Sequence, residues 1–166
     1  HLLTINGSIN PTTFDYLKHG IEYAQNNNAQ AVIIEMNTPG GLLQSTRDIV
    51  TEFLNAKIPI IVYVSPQGSR AASAGVFITM AAHIAVMAPG TNIGAAHPVS
   101  GQGEMDSVMS GKVTNDAAAF IRTISEKRNR NVEWAEDAVR NRVSITETEA
   151  LNKNVIDFIA TNRTAL

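Results

Sequence analysis

Two kinds of hydrophobic pattern alternate along the chain. In the first kind, apolar and mainly β-branched residues run almost without interruption between turn residues, as is typical of strands buried in a parallel sheet. The clearest case is Lys-Ile-Pro-Ile-Ile-Val-Tyr-Val at 57–64, which a Ser-Pro-Gln-Gly turn follows. The pattern predicts strands over residues 1–5, 30–37, 57–64, 84–88 and 155–159.

The second kind of pattern repeats apolar residues every three or four positions, which predicts helices with one buried face. The first helix begins at Pro11 after the capping residue Asn10, and a capping box at 146–149 opens a short late helix. The other helices are predicted over residues 42–56, 72–82, 114–128 and 132–143. Because strands and helices alternate, we expect a single α/β domain over residues 1–166, with a mostly parallel sheet and helices packed around it.

A run of very small residues joins the strand at 57–64 to the apolar helix at 72–82. This run, 69–75, reads Ser-Arg-Ala-Ala-Ser-Ala-Gly, and it leaves the hydroxyl of Ser73 at the strand-to-helix corner. A hydroxyl in the first turn of a helix lies close to unpaired backbone N–H groups, which can hold an oxyanion. Ser73 is therefore a candidate nucleophile, and the alternative is an ordinary residue that begins and caps a helix.

A second turn, 37–41 with the sequence Asn-Thr-Pro-Gly-Gly, also follows a predicted strand. Two glycines let the backbone approach a ligand closely and point N–H groups into a cavity. Because parallel strands end at the same edge of a sheet, this turn and Ser73 are expected to lie together where ligands bind. The alternative is a simple tight turn.

A serine nucleophile needs a base, and two residues are candidates. Residues 95–113, rich in Gly and Ser, are predicted to form a mobile loop over the site, and Lys112 lies in that loop. A lysine acts as a base when burial among apolar neighbours disfavours its ammonium form. The rival is His97, which would act with an acidic residue such as Asp106 or Asp116.

Composition excludes several classes of function. The chain has 166 residues, a net charge of −2 and no cysteine, so neither nucleic-acid binding nor a Cys-ligated zinc site is indicated. Its four histidines lack paired spacing, so no metal site is expected. There is no apolar run of the roughly 20 residues that a membrane span needs and no signal peptide at His1, so we expect a soluble domain.

Four motifs together resemble the protease domain of the NfeD family, membrane-anchored serine peptidases that are associated with stomatin-type proteins and related to ClpP and signal-peptide peptidase A. The motifs are Asn-Thr-Pro-Gly-Gly at 37–41, Ala-Ser-Ala-Gly at 72–75, Met-Ala-Pro-Gly-Thr-Asn-Ile-Gly-Ala at 87–95 and Gly-Lys-Val-Thr-Asn at 111–115. The resemblance runs from about residue 2 to residue 160, in order and with compatible spacing.

The resemblance implies a ClpP/crotonase-type fold and a Ser-Lys dyad. Ser73 would be the nucleophile and Lys112 the base, while the amides of Gly40 or Gly41 and of Ala74 would form the oxyanion hole. The histidine of the ClpP pattern falls on Ala96, one residue before His97. No metal, nucleotide or other cofactor is implied.

The resemblance also implies a substrate and a cellular setting. The substrate would be a hydrophobic polypeptide segment of a stomatin-like membrane protein, lying as an added strand across the glycine turn. The domain would be the N-terminal part of a longer, membrane-anchored chain, placed outside the cytoplasm, and would form a homodimer.

Three alternatives to the Ser-Lys peptidase stay open from the sequence. A ClpP-type peptidase would use His97 in place of Lys112. A crotonase-type acyl-CoA enzyme would use the glycine-turn amides on a thioester and would need neither Ser73 nor Lys112. A non-catalytic module would only bind or scaffold a membrane partner, because fold alone does not determine function.

Overall fold

The computed structural model describes residues 1–99 and 106–166. Its strands are β1 (Leu2–Asn6), β2 (Val32–Asn37), β3 (Ile60–Val64), β4 (Arg70–Ala72), β5 (Ile84–Met87), β6 (Asn92–Gly94), β7 (Ser144–Thr146) and β8 (Phe158–Ile159). Its helices are α1 (Pro11–Asn26), α2 (Leu43–Asn55), α3 (Ala74–Ala81), α4 (Ser107–Lys127), α5 (Val132–Arg140) and α6 (Glu147–Asn152). A short 3₁₀ helix, Arg163–Ala165, lies near the last residue.

Five strands form one parallel sheet in the order β1-β2-β3-β5-β8. The predicted α/β fold with a mostly parallel sheet is therefore confirmed. Alternate residues of the central strands, such as Ile34 and Val62, are fully buried and join the apolar sides of the helices in one large core. Because all five strands run in the same direction, the segments that follow them meet at one edge of the sheet.

A second, smaller sheet has the order β4-β6-β7 and holds the segment before Ser73. Strands β4 and β6 are parallel, β6 and β7 are antiparallel, and a bridge between Thr38 and Ala71 joins this sheet to the end of β2. The sequence analysis predicted no strand in these three segments and began a helix at residue 72, so it missed this sheet. Strands of only three residues are too short to show a periodicity, so only tertiary pairing reveals them.

Helix α4 begins at Ser107, seven residues before the predicted start at 114. The side chain of Asp106 caps it by accepting a hydrogen bond of 2.7 Å from the N–H of Met109. The prediction of a loop over 95–113 is therefore wrong for 107–113, and Lys112 lies in the second turn of a helix. The composition of this segment is typical of a loop, but a good N-cap and the packing of the later turns extend the helix. Residues 100–105 of the predicted loop lie outside the described residues.

Other predicted helix ends are confirmed. Asn10 caps α1 and exchanges hydrogen bonds with Thr13, and Thr146 and Glu149 form the expected capping box at α6.

In the part of the chain that the structure describes, no helix combines the length and apolar character that crossing a bilayer requires.

Two arginines between α4 and α5 close the C-terminal end of α3. Arg128 donates to the carbonyl oxygen of Ala81 at 2.9 Å, and Arg130 donates to the carbonyl oxygens of Met80 at 3.2 Å and Ala82 at 2.9 Å. The side chain of Arg130 is only 2% exposed and also pairs with Asp157. Cations stabilise a helix C-terminus, so these arginines fix the helix that carries Ser73 at its other end.

His83 makes the stability of this region depend on pH. Its Nδ1 accepts a hydrogen bond of 3.0 Å from the N–H of Ile60, and burial, with Arg128 and Arg130 nearby, lowers its pKa from 6.5. A histidine whose pKa is lower in the folded than in the unfolded state favours unfolding once the pH falls below the unfolded value. We therefore expect the free energy of unfolding to fall as the pH drops below about 6.5.

Urea unfolding measured between pH 5 and pH 8 tests this expectation. His83→Gln should reduce the pH dependence, while His19→Gln, at an exposed position of α1, serves as the matched control. An equal pH dependence in wild type and His83→Gln would show that His83 is not the group responsible.

Candidate active site

Ser73 lies between β4 and α3 in a backbone conformation that only glycine adopts easily. Its φ is 55° and its ψ is −113°. Hydrogen bonds on both sides enforce this conformation: the Ser73 N–H donates to the carbonyl oxygen of Gly94 at 3.2 Å, and the Ala72 N–H donates to that of Thr38 at 3.1 Å. Such a conformation costs about 1–3 kcal/mol and is concentrated at functional sites.

The hydroxyl of Ser73 is not used to cap the helix. Ser73 occupies the N-cap position of α3, yet its side chain makes no capping hydrogen bond. The side chain is half-buried, and its oxygen has no hydrogen-bond partner among residues 1–99 and 106–166. The interpretation of Ser73 as an ordinary helix cap therefore does not fit the structure.

Gly40 allows the glycine turn to pack directly against Ser73. Its φ is +121°, and a Cβ atom built on it would lie 2.5 Å from the Cβ of Ser73. Its N–H, however, donates to the buried hydroxyl of Thr38 at 3.1 Å. The predicted use of Gly40 as an oxyanion donor needs correction, because its amide already has a partner.

Gly41 and Ala74 carry the amides that remain available. Gly41 pairs with Ile9 in a parallel bridge. The backbone of Ile9 forms hydrogen bonds with Gly40 and Leu42, the residues on either side of Gly41. The N–H of Gly41 itself therefore points away from Ile9. Ala74 is the first residue of α3, where the helix dipole favours negative charge. Within the described residues neither N–H has an acceptor, and both residues line the same cleft as Ser73.

The cleft has a volume of about 260 Å³ and mostly apolar walls. Apolar residues that line it include Leu42, Leu43, Phe77, Pro98, Val99 and Val113. Leu42 is 57% exposed and Val99 is 78% exposed, so the apolar surface extends beyond the cleft onto the outside of the molecule. Exposed apolar surface around a cleft is typical of a site that binds an apolar partner.

Helix α4 reaches this cleft at the residue that follows Lys112. Val113, its neighbour in sequence, lines the cleft, while the Lys112 side chain is exposed. No hydrogen bond between Lys112 and Ser73 is present among the described residues. Catalytic contacts are often long in the absence of substrate, so the absence of this contact does not exclude Lys112 as the base.

His97 faces away from the cleft. Its Nδ1 donates a hydrogen bond of 2.8 Å to the carbonyl oxygen of Val139 in α5, and its neighbours Ala96 and Pro98 are the residues that line the cleft. The acidic residues named as its possible partners are used elsewhere, because Asp106 caps α4 and Asp116 forms an ion pair with Arg47. The structure does not assemble a Ser-His-Asp arrangement from these residues.

The sequence analysis missed two residues that shape the site. Thr38 is fully buried and holds the glycine turn through its hydroxyl, and Phe77 forms a wall of the cleft one helical turn after Ser73. Thr38 could have been found from its place in the 37–41 motif. Phe77 has no local signal, because the sequence around it is apolar on every side.

Comparisons with known proteins identify the family of the chain. The family model described as "NfeD1b, N-terminal domain" matches residues 1–165. The "Membrane-bound protease PH1510" of Pyrococcus horikoshii is 38% identical over 162 residues, which cover 96% of this chain. This chain spans 37% of the length of that relative.

Solved structures show the same fold. The S-to-A variant structure of the "1510-N membrane-bound stomatin-specific protease" has a TM-score of 0.90 and 36% identity, covering 98% of this chain and 80% of that one. A K-to-A variant of 1510-N, in complex with a substrate peptide, has a TM-score of 0.90 and 34% identity, covering 99% of this chain and 76% of that one.

ClpP1 from Listeria monocytogenes has a TM-score of 0.78 and 18% identity, covering 98% of this chain and 92% of that one. The last likeness concerns the fold alone, and it confirms the predicted ClpP-type architecture. Because the family model matches residues 1–165, nearly the whole chain, the chain belongs to the NfeD1b N-terminal domain family.

Proposed function

We propose that this domain is a serine peptidase with a Ser-Lys dyad. Ser73 is the nucleophile, Lys112 is the base, and the amides of Gly41 and Ala74 form the oxyanion hole. The observation that carries the proposal is the conformation of Ser73, whose strained backbone presents the hydroxyl to an apolar cleft. Among residues 1–99 and 106–166 this hydroxyl has no hydrogen-bond partner, and the two N–H groups beside it have no acceptor.

The chemistry needs only groups of this chain and water. Neutral Lys112 takes the proton from the Ser73 hydroxyl, and the oxygen attacks the peptide carbonyl carbon while the two amides hold the resulting oxyanion. As the C–N bond breaks, the Lys112 ammonium gives its proton to the departing amine. Lys112 then takes a proton from a water molecule, which attacks the acyl ester. As the ester C–O bond breaks, the Lys112 ammonium returns this proton to the Ser73 oxygen, and the product leaves as a carboxylic acid that ionises in solvent.

The substrate proposed is an extended, apolar polypeptide segment. The free backbone side of Gly41 can accept such a segment as an added strand, and the apolar surface formed by Leu42 and Val99 can bind its side chains. The related 1510-N is named as stomatin-specific, and one of its structures contains a substrate peptide. By this relationship we extend the proposal to a stomatin-like partner.

The wider setting of the domain rests on its relatives. PH1510 is named membrane-bound and this chain spans only 37% of it, so we propose membrane attachment through segments outside these 166 residues. A homodimer and a position outside the cytoplasm stay predictions from the family resemblance.

The solved relatives support the choice of residues. Structures of 1510-N exist with a serine replaced by alanine and, in the peptide complex, with a lysine replaced by alanine. Such replacements are the usual means of trapping a peptidase with its substrate, so they suit a Ser-Lys dyad in the family. Lys112 is the neighbour in sequence of Val113, which lines the cleft.

The base is tested by comparing Lys112→Ala with His97→Ala. Hydrolysis of an apolar, unstructured peptide with a fluorophore and a quencher at its ends gives kcat and KM for each variant. Losing a general base costs on the order of 10³-fold in rate, so Lys112→Ala should lower kcat by about that factor. His97→Ala should keep most of the activity, because its imidazole contacts α5 instead of the cleft.

Lys127→Ala is the matched control, because it removes a lysine from the last turn of the same helix. If His97→Ala is inactive and Lys112→Ala is active, the base is histidine and the Ser-Lys proposal is wrong. If the wild-type domain binds the peptide but cleaves it no faster than the Ser73→Ala variant, the domain is a binding module.

A further inference from the structure

Three side chains of α4 share one face of the helix. Lys112, Asp116 and Phe120 follow one another at intervals of four residues, and residues four apart on a helix lie on the same side. The group that holds Asp116 and Phe120 in place therefore also fixes the orientation of the helix face that carries Lys112.

Arg47, on α2, contacts both Asp116 and Phe120. Its guanidinium forms an ion pair with the carboxylate of Asp116 and also lies over the ring of Phe120, 4.3 Å from the ring centroid. The Arg47 side chain is 30% exposed, whereas that of Asp116 is 65% exposed. A partly buried cation over an aromatic face is attracted to the ring, so the contact to Phe120 adds to what a surface ion pair supplies.

The same cluster reaches the wall of the cleft. The ring of Phe120 stacks on that of Phe77, with 5.8 Å between centroids and an interplanar angle of 23°. Phe77 lies one turn after Ser73 in α3 and lines the cleft. Arg47, Phe120 and Phe77 thus connect α2, α4 and α3 beside the candidate nucleophile.

The first turns of α4 have few other contacts to fix them. The first fully buried residue of this helix is Ala117, while Val108, Met109 and Lys112 are exposed. From α5, Arg140 donates a hydrogen bond of 2.8 Å to the side chain of Asn115. The contact of Arg47 lies one turn after Lys112, on the same face, so it is well placed to orient that part of the helix.

Arg47 also removes a competing partner. A carboxylate four residues after a lysine on a helix is within reach of its ammonium group and attracts it. Because the carboxylate of Asp116 is bound to Arg47, it does not hold the Lys112 side chain against the surface of α4.

We propose that Arg47 is a positioning residue of the peptidase, which holds α4 against α2 and α3 so that Lys112 is directed at Ser73. This inference rests on the proposed function. Arg47 itself touches neither the nucleophile nor the peptide, and it acts through the orientation of Lys112.

The test is Arg47→Met, which keeps the length and apolar character of the side chain but removes its charge. Misplacing a catalytic group by about 1 Å costs up to about 100-fold in rate, so we expect kcat to fall at least tenfold while KM stays unchanged. The affinity for the same quenched peptide, measured in the Ser73→Ala background, should also stay unchanged. The midpoint of thermal unfolding is recorded for every variant.

Two further variants separate positioning from a general loss of structure. Exchanging the charges, with Arg47→Asp and Asp116→Arg together, should recover much of kcat by restoring the ion pair. Arg163→Met is the matched control, because it breaks an ion pair with Glu35 that is not part of the cleft. Its kcat should equal that of the wild type.

Several results would overturn the inference. One is a wild-type kcat in Arg47→Met. Another is an equal loss of kcat and peptide affinity, which would make Arg47 a binding residue. A third is a loss of kcat that accompanies a lower unfolding midpoint and is not recovered by the charge exchange. If Lys112→Ala is itself fully active, the proposed dyad fails; if Lys112→Ala is inactive and Arg47→Met is fully active, only this inference fails.

Discussion

Replacing Ser73 with alanine is expected to lower kcat for hydrolysis of the quenched peptide by a factor on the order of 10⁵, because no other group can form the acyl ester. The fold should persist, since alanine has the same backbone preferences as serine at φ 55° and the hydroxyl makes no hydrogen bond among the described residues. Peptide hydrolysis and far-ultraviolet circular dichroism measured on the same sample test both parts.

The matched control is Ser8→Ala, which removes an exposed hydroxyl before α1 and should leave kcat unchanged. Ser73→Gly adds a second test: it should be equally inactive but more stable than the wild type by roughly 1 kcal/mol, because glycine relieves the strained backbone. If a serine-reactive fluorophosphonate labels the wild type and labels Ser73→Ala equally, the nucleophile lies elsewhere.

Replacing Gly41 with alanine is expected to damage both stability and activity. A Cβ atom at this position would lie 2.0 Å from the carbonyl oxygen of Ile9, so the bridge between the two segments must open. The hydrogen bond from Leu42 to Ile9, at 2.9 Å, would be lost with it. We expect the free energy of unfolding to fall by about 2–4 kcal/mol. We expect kcat to fall at least about 100-fold, because the shifted backbone would move the Gly41 amide away from the oxyanion.

Urea unfolding and peptide hydrolysis measure the two effects separately. Gly111→Ala is the control for stability, because in the part of the chain that the structure describes a Cβ there would meet no atom within 4 Å besides its chain neighbours and the nearby backbone of α4. Alanine also favours the helical conformation of α4 by about 0.5–1 kcal/mol. If Gly41→Ala unfolds like the wild type and retains its kcat, the close pairing with Ile9 does not shape the site.

The position of the candidate site at one edge of the sheet follows from local patterns. The buried strands, the glycine turn and the run of small residues before α3 are all visible as short segments, and the parallel sheet then brings their ends together. Ser73 and Gly41 were accessible from the sequence for that reason. The role of Gly40 was not, because its amide donates to the hydroxyl of Thr38 and the direction of one N–H is a tertiary detail.

The start of α4 and the orientation of its lysine depend on contacts between distant residues. The Gly- and Ser-rich segment before it is typical of a loop, and nothing within it indicates that a helix begins at Ser107. Arg47 and Asp116 are 69 positions apart, so no periodicity links them.

By itself, the sequence determined which segments form the buried strands, which helices accompany them and where the candidate nucleophile lies, because each of these properties depends on residues close together in the chain. Only the tertiary structure decided which amides are free to hold an oxyanion, which way His97 points and how α4 is fixed beside the cleft. Those properties depend on which partners the folded chain brings to each group, and that pairing is set by the packing of the whole core.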